Sequence, residues 1–278
     1  MNLIRIDRPD DPRIAGFRDI RERDLTGRQG LFVAEGEVVL NVLTSPQSLC
    51  VPVALLLDAK RLEGLSGVLS RLAEEIPVHV ADQSVLDAIA GFHLHRGILA
   101  LGRKPEPAAL EARLAGLGPD AVVVAVCGVG NHDNMGGVFR NAAAFGASAV
   151  LLDERCCDPF YRKAIRVSVG AVLRTPMAAG LDSAEMIETL KGAGFDVLAM
   201  TPGGEETLDQ VERTGRVAIL LGPEGPGLPA ALIARCRPVG IHMSGGFDSL
   251  NVATAGAIAL HHLTRRSPAA PARASGEA

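Results

Sequence analysis

Tryptophan is absent from the chain, tyrosine occurs once in 278 residues, and aromatic side chains make up only 3%. Aliphatic residues and alanine must therefore build the core. No apolar run approaches the roughly 18 residues a membrane span needs. The N-terminus is rich in arginine but has no apolar stretch of the signal-peptide kind. No membrane association is expected. The five cysteines, Cys50, Cys127, Cys156, Cys157 and Cys236, are odd in number and include no C-x-x-C pair. That excludes a disulfide framework and a zinc site and points to a reducing, cytoplasmic location. Neither His93/His95 nor His261/His262 has a carboxylate or cysteine at metal-ligand spacing, so no metal is expected. There is no G-x-x-x-x-G-K-[ST] run and no G-x-S-x-G elbow, which removes P-loop and α/β-hydrolase chemistry. A net charge of −4 gives no global basic field. The N-terminal arginines, Arg13, Arg21 and Arg28 among them, are nearly balanced by acidic neighbours such as Asp11 and Asp24.

What is present is core-forming material, 47% hydrophobic, arranged in two stretches. Pro105, Pro107 and Pro119 punctuate residues 103–120, which read as a linker with a short helix at 108–117. Before it, helical patterns at 12–24, 36–43, 62–74 and 84–90 alternate with strand-like runs at 31–34, 51–57, 78–80 and 97–101. Residues 1–102 therefore form a small α/β sandwich. After the linker, apolar runs at 122–127, 149–152, 174–177, 196–199, 217–221 and 239–243 have the unbroken character of buried parallel strands. Helical patterns at 135–145, 162–168, 183–192, 229–234 and 250–263 fill most of the gaps. Residues 121–266 thus predict a mostly parallel sheet with helices on both faces. Residues 267–278 have the composition of a disordered tail.

Three loops follow strand ends, where open α/β sheets bind ligands. The first contains Asn134-x-Gly136-x-x-x-Arg140. Gly128 and Gly130 fit a dinucleotide fingerprint, but its third glycine position holds Asp133, which would repel a pyrophosphate. The second is Leu221-Gly222-Pro-Glu224-Gly-Pro-Gly-Leu228, three glycines around one carboxylate. The third runs from Ile241 and Met243 through two glycines to Ser249, Leu250 and Asn251. Each also has a local reading: Asn134 as a helix N-cap, Ser249 or Asp248 as the cap of the last helix, and the glycine loop as a mere reversal. Upstream of the second loop, residues 161–174 carry Arg162, Lys163, Arg166 and Arg174, either as phosphate contacts or as a solvated helix face.

In order and spacing, these motifs strongly resemble the SpoU/TrmH family of RNA ribose 2′-O-methyltransferases, members of the SPOUT superfamily. The likeness spans about 121–264, and the Arg166-x-Ser-x-Gly-Ala-x-x-Arg174 pattern also fits. Residues 11–15, 32–36 and 95–97 are similar to a ribosomal-protein-like substrate-binding domain that many members carry. The resemblance implies a C-terminal trefoil knot, a homodimer, and S-adenosyl-L-methionine as cofactor. It implies catalytic or positioning roles for Asn134, Arg140, Glu224, Ser249 and Asn251, with Arg140 central and Glu224 orienting it or loop backbone. The cofactor residues implied are Met200, Thr201, Gly203, Leu221, Gly222, Ile241, Met243, Ser249 and Leu250. Arg13, Arg21, Arg28, Arg166 and Arg174 are the expected RNA contacts. Ribosomal RNA is the favoured substrate; transfer RNA, a catalytically silent RNA-binding or ribosome-assembly factor, and a nucleotide-dependent oxidoreductase are the alternatives. The chain departs from the family pattern at Gly130–Asp133, Pro223 and His242.

Overall fold

The computed structural model describes residues 2–18, 22–90, 97–244 and 249–265, with residues 22–24 and 90 described by backbone alone. Arg21, the His93–His95 run, the paired glycines 245 and 246, Asp248 and the tail at 267–278 lie outside the described residues.

Two sheets carry the chain. In the first part, β1 (Asn2–Arg5), α1 (Glu22–Arg28), β2 (Leu31–Glu35), α2 (Glu37–Leu43), β3 (Val51–Asp58), α3 (Ser66–Leu69), β4 (Pro77–Ala81), α4 (Gln83–Ala90) and β5 (Ile98–Arg103) follow in order. The strands form one mixed sheet, β1-β4-β3-β5-β2, in which β5 runs antiparallel to β2 and β3. Alternate residues of β3 supply opposite faces. Leu55 and Leu57 face α2 and α3, whereas Leu56 joins Ile14 and Leu86. Two helical expectations shrink here. Residues 12–24 break into a 3-10 helix (Pro12–Phe17), itself kinked at Ile14, and α1, because Arg18 takes extended angles after Phe17. Residues 62–74 hold only short turns and α3. Strand β1 was not read from sequence; its two apolar residues give too little alternation to show.

Next come α5 (Leu110–Ala115), β6 (Val122–Val126), α6 (His132–Phe145), β7 (Ala149–Asp153), α7 (Arg162–Val167), β8 (Met177–Leu181), α8 (Ser183–Gly192), β9 (Asp196–Met200), β10 (Glu206–Thr207), β11 (Val217–Leu221), α9 (Ala230–Ile233), β12 (Arg237–Gly240) and α10 (Val252–Thr264). All seven strands are parallel, in the order β10-β12-β9-β11-β6-β7-β8. Both faces are covered, as a parallel sheet requires. Val122, Val124 and Val126 of β6 pack toward α6 and α10, while Val123 and Ala125 pack toward α5 and α8. The run expected as a strand at 174–177 starts later, at Met177, because residues 171–173 take a 3-10 turn beneath α6.

The two sheets meet along a packed seam. Phe32 of β2 lies 5.3 Å from Phe160 between ring centroids. Lys104 pairs with Asp158 at 2.6 Å and sits over the Phe160 ring. The Leu49 N–H donates to the Leu173 carbonyl at 2.8 Å.

Candidate active site

Neighbouring strands β12, β9, β11 and β6 end on one edge of the parallel sheet, and the three motif loops leave from three of those ends. Parallel strands bring far-separated residues together in this way, since each crossover returns the chain to the same edge. Asn251 joins the loops. Its Nδ2 donates to Asn134 Oδ1 at 2.8 Å and to Glu224 Oε1 at 3.0 Å. Its Oδ1 accepts from the Ala253 and Thr254 N–H groups and so caps α10. One carboxamide thereby fixes a helix start and two polar side chains. Asn134 is buried, whereas Glu224 and Asn251 are exposed at the mouth.

The caps differ from the expectation. Asn131, not Asn134, caps α6, with Oδ1 accepting from Asp133 N at 2.8 Å and Asn134 N at 3.2 Å. The helix starts three residues earlier than its apolar pattern, and this leaves the Asn134 side chain free to meet Asn251. At the last helix the cap is Asn251 itself rather than Ser249. Asn131 could have been found from sequence, as an Asn three residues before another helix-compatible polar residue.

Close helix approach sets this geometry. A Cβ at Gly136 would lie 2.7 Å from the Ala164 carbonyl oxygen on α7, and one at Gly137 would lie 2.7 Å from the Ala253 Cβ on α10. Consecutive glycines thus let α6 touch both neighbours. Asn141 Nδ2 adds a bond to the Ala253 carbonyl at 2.8 Å. Behind the first loop sits Asp153, buried at the end of β7. It accepts from Gly128 N at 2.9 Å and from the Ser183 hydroxyl at 2.8 Å. Burial pushes its carboxyl pKa up, but these donors and the nearby Arg155 outweigh that and hold it below the ordinary carboxylate value. Asp153 went unnoticed in the sequence; a lone acid closing an apolar strand was the available signal.

A cleft of about 710 Å³ opens over these ends. Met200, Thr201, Leu221, Gly222, Ile241 and Met243 line it, and Ser249, Leu250 and Asn251 close one side. Gly203 is not among its lining residues. Arg140 stands exposed in the third turn of α6 and makes no hydrogen bond or ion pair with the described residues. The described partner of the Glu224 carboxylate is Asn251, rather than Arg140 or loop backbone. Of the expected RNA contacts, Arg166 and Arg174 are likewise exposed and without such partners among the described residues. Arg13 is held by Asp11 at 2.9 and 2.5 Å. Arg28 occupies the last turn of α1. No cluster of metal-holding side chains, and no helix long and apolar enough to cross a membrane, occurs among the described residues.

The family model of the SpoU rRNA methylases matches residues 121–261, the span that carries all three loops. The chain belongs to the SpoU rRNA methylase family. It is therefore placed among RNA methyltransferases. A tRNA/rRNA methyltransferase of Mycobacterium tuberculosis is 42% identical over 269 residues, covering 92% of this chain and 90% of that protein. Among solved structures, an RNA 2′-O ribose methyltransferase superposes with a TM-score of 0.76 at 28% identity, covering 94% of this chain and 98% of the other. The SpoU methyltransferase AviRb of Streptomyces viridochromogenes, crystallised with the cofactor AdoMet, shares the fold at a TM-score of 0.77 and 22% identity, covering 91% and 97%. Both likenesses extend over the five-stranded sheet as well as the SpoU part.

Proposed function

We propose that this SpoU-family protein transfers a methyl group from S-adenosylmethionine to a ribose 2′-hydroxyl in structured RNA, with ribosomal RNA the preferred class over transfer RNA. The observation that carries this reading is the Asn134–Asn251–Glu224 bridge at the mouth of the cleft. It puts a fixed carboxamide pair and a carboxylate where a ribose would enter.

The residues present suit the cofactor. Leu221, Ile241, Met243 and Leu250 give apolar walls for a purine, and Glu224 gives a negative charge for a sulfonium. Gly222 keeps the second loop tightly folded, since a Cβ there would stand 2.7 Å from Leu228 N. Met200, Thr201 and the Ser249–Leu250 backbone complete the binding set, with Gly203 at its margin. When bound, S-adenosylmethionine supplies an electrophilic methyl group. The protein must align the 2′-oxygen with it and take up the hydroxyl proton, and alignment alone contributes much of the acceleration. Asn134, Ser249 and Asn251 orient the ribose. Arg140, uncommitted to any described side chain, holds the neighbouring phosphate by its planar fork, so that a phosphate oxygen accepts the proton. A guanidinium gives up its own proton reluctantly, which disfavours Arg140 as the base.

Residues 1–102 would grip the RNA by shape and backbone, with 103–120 as linker. Arg166 and Arg174, with Arg13 and Arg28, are the phosphate contacts we assign. Two copies would pair through α10, where Ile258 is exposed. The trefoil knot fits the placement of β12 between β9 and β10. The test is transfer of labelled methyl from S-adenosylmethionine to separated unmodified ribosomal and transfer RNA. Alkali-resistant label in the ribosomal pool, lost in Arg140→Ala, is expected. Cofactor binding without label in either pool would instead favour a silent RNA-binding factor.

A further inference from the structure

The chain's one tyrosine, in a sequence without tryptophan, does not stand in a core. Tyr161 lies half-buried just before α7, and its ring stacks on His132 in the first turn of α6. The centroids are 4.6 Å apart and the planes 13° from parallel. One residue beyond His132 and two beyond Tyr161, Asp133 and Lys163 form an ion pair at 2.6 Å. His132 and Asp133 directly precede Asn134, so the stacked pair borders the carboxamide bridge. His132 also lies in the Gly130–Asp133 stretch, where this chain departs from its family's pattern.

A purely structural tie between α6 and α7 is already supplied by the Gly136 approach and the Lys163–Asp133 pair. The histidine is a poor choice for such a tie. Its Nε2 is buried and has no hydrogen-bond partner among the described residues, which costs stability. Stacked and nearly parallel, the two rings extend as a short column whose outer faces are flat and apolar. Unpaired nucleobases stack on such faces, because every base has a π surface. Exposed Lys163 and Arg166 lie on the short helix that Tyr161 precedes, two and five residues beyond it, and supply cations for a strand's phosphates.

We infer that the His132–Tyr161 pair is a stacking ledge for an unpaired base beside the methylated nucleotide, so that the substrate is a loop, bulge or flipped-out residue rather than a continuous duplex. The inference rests on the RNA-methylating reading above. Stacking is sequence-tolerant, so the ledge selects an exposed base and sets its register; it does not choose among the four bases.

The test compares the full-length protein with Tyr161→Phe, Tyr161→Leu and His132→Gln. Each is assayed for KM and kcat on unmodified ribosomal and transfer RNA, for S-adenosylmethionine affinity, and for Tm. Tyr161→Leu and His132→Gln should raise the RNA KM by about tenfold or more, while Tyr161→Phe stays within about twofold. Cofactor affinity should not move. An unchanged RNA KM in Tyr161→Leu overturns the ledge, as does a Tyr161→Phe defect equal to that of Tyr161→Leu, which would point to the hydroxyl. If Tyr161→Leu does not fold, His132→Gln decides by the same criterion. If the wild-type protein methylates neither RNA, the functional reading fails separately. Filter retention of the same RNAs then tests the ledge: weaker retention by His132→Gln keeps it, and equal retention removes it.

Discussion

The exposed arginines near the N-terminus and the polar residues at the seven-stranded sheet's edge find their partners differently. Beside the five-stranded sheet Arg8 pairs with Asp10 and Arg13 with Asp11, each two residues away, although Arg5 also reaches Asp82. In the seven-stranded sheet Asn251 reaches Asn134 across 117 positions of sequence and Glu224 across 27. Arg140, Arg166 and Arg174, meanwhile, are left without described partners. Local pairing keeps an exposed surface soluble and contributes little stability. Long-range convergence with cations held in reserve is how a sheet edge becomes a site.

The sharpest way to break that contrast is at the site. Arg140→Ala should lower kcat by about a hundredfold, since misplacing a reacting group costs that order. Its cofactor affinity should stay near wild type by calorimetry. Arg140→Lys, with one point charge in place of a fork, should recover only part of the loss; near-normal turnover would sink the phosphate-positioning role. A second experiment concerns the packing beneath. Gly136→Ala would drive a Cβ against the α7 backbone at Ala164, a contact that cannot swing away. It should cost about 1–3 kcal/mol in denaturant unfolding. No effect would mean that α6 and α7 are less tightly set than described.

Smaller again is the acid limb. The Asp153 carboxyl is held below its ordinary value in the folded protein. Its contribution is therefore complete above the unfolded pKa, about 4, and is lost as pH falls through the folded one. Asp153→Asn should lower stability at neutral pH by about 1–3 kcal/mol, through donors left unmet, and flatten the decline below pH about 4. A steeper decline in the variant would contradict the assignment. Smallest of all, Arg8→Ala in the first sheet should change stability by less than about 1 kcal/mol and leave turnover unaltered.

The elements that could be read from sequence were those with long, unbroken signals. The apolar runs of β6, β9 and β11 and the 3.6-residue pattern of α8 lie where expected, within a residue or two. Short pieces such as β1, β10 and α3 carry too few residues for a period to show. At the site, residue type and spacing marked Asn134, Glu224 and Asn251, but not which of them would bond. The Glu224–Asn251 contact depends on how the β11 loop turns back over the sheet edge. Asn131 and Asp153 were missed because much of their work is on backbone N–H groups, which residue type and spacing mark only weakly.

The account's central claim is that the three loops act as one polar unit. A double-mutant cycle on Asn134→Ala and Asn251→Ala, read as single-turnover methyl transfer to ribosomal RNA, tests it most directly. Either single change should slow transfer by about tenfold or more, and the double variant should be little slower than the worse single one. Effects that multiply would show two independent residues and contradict the unit.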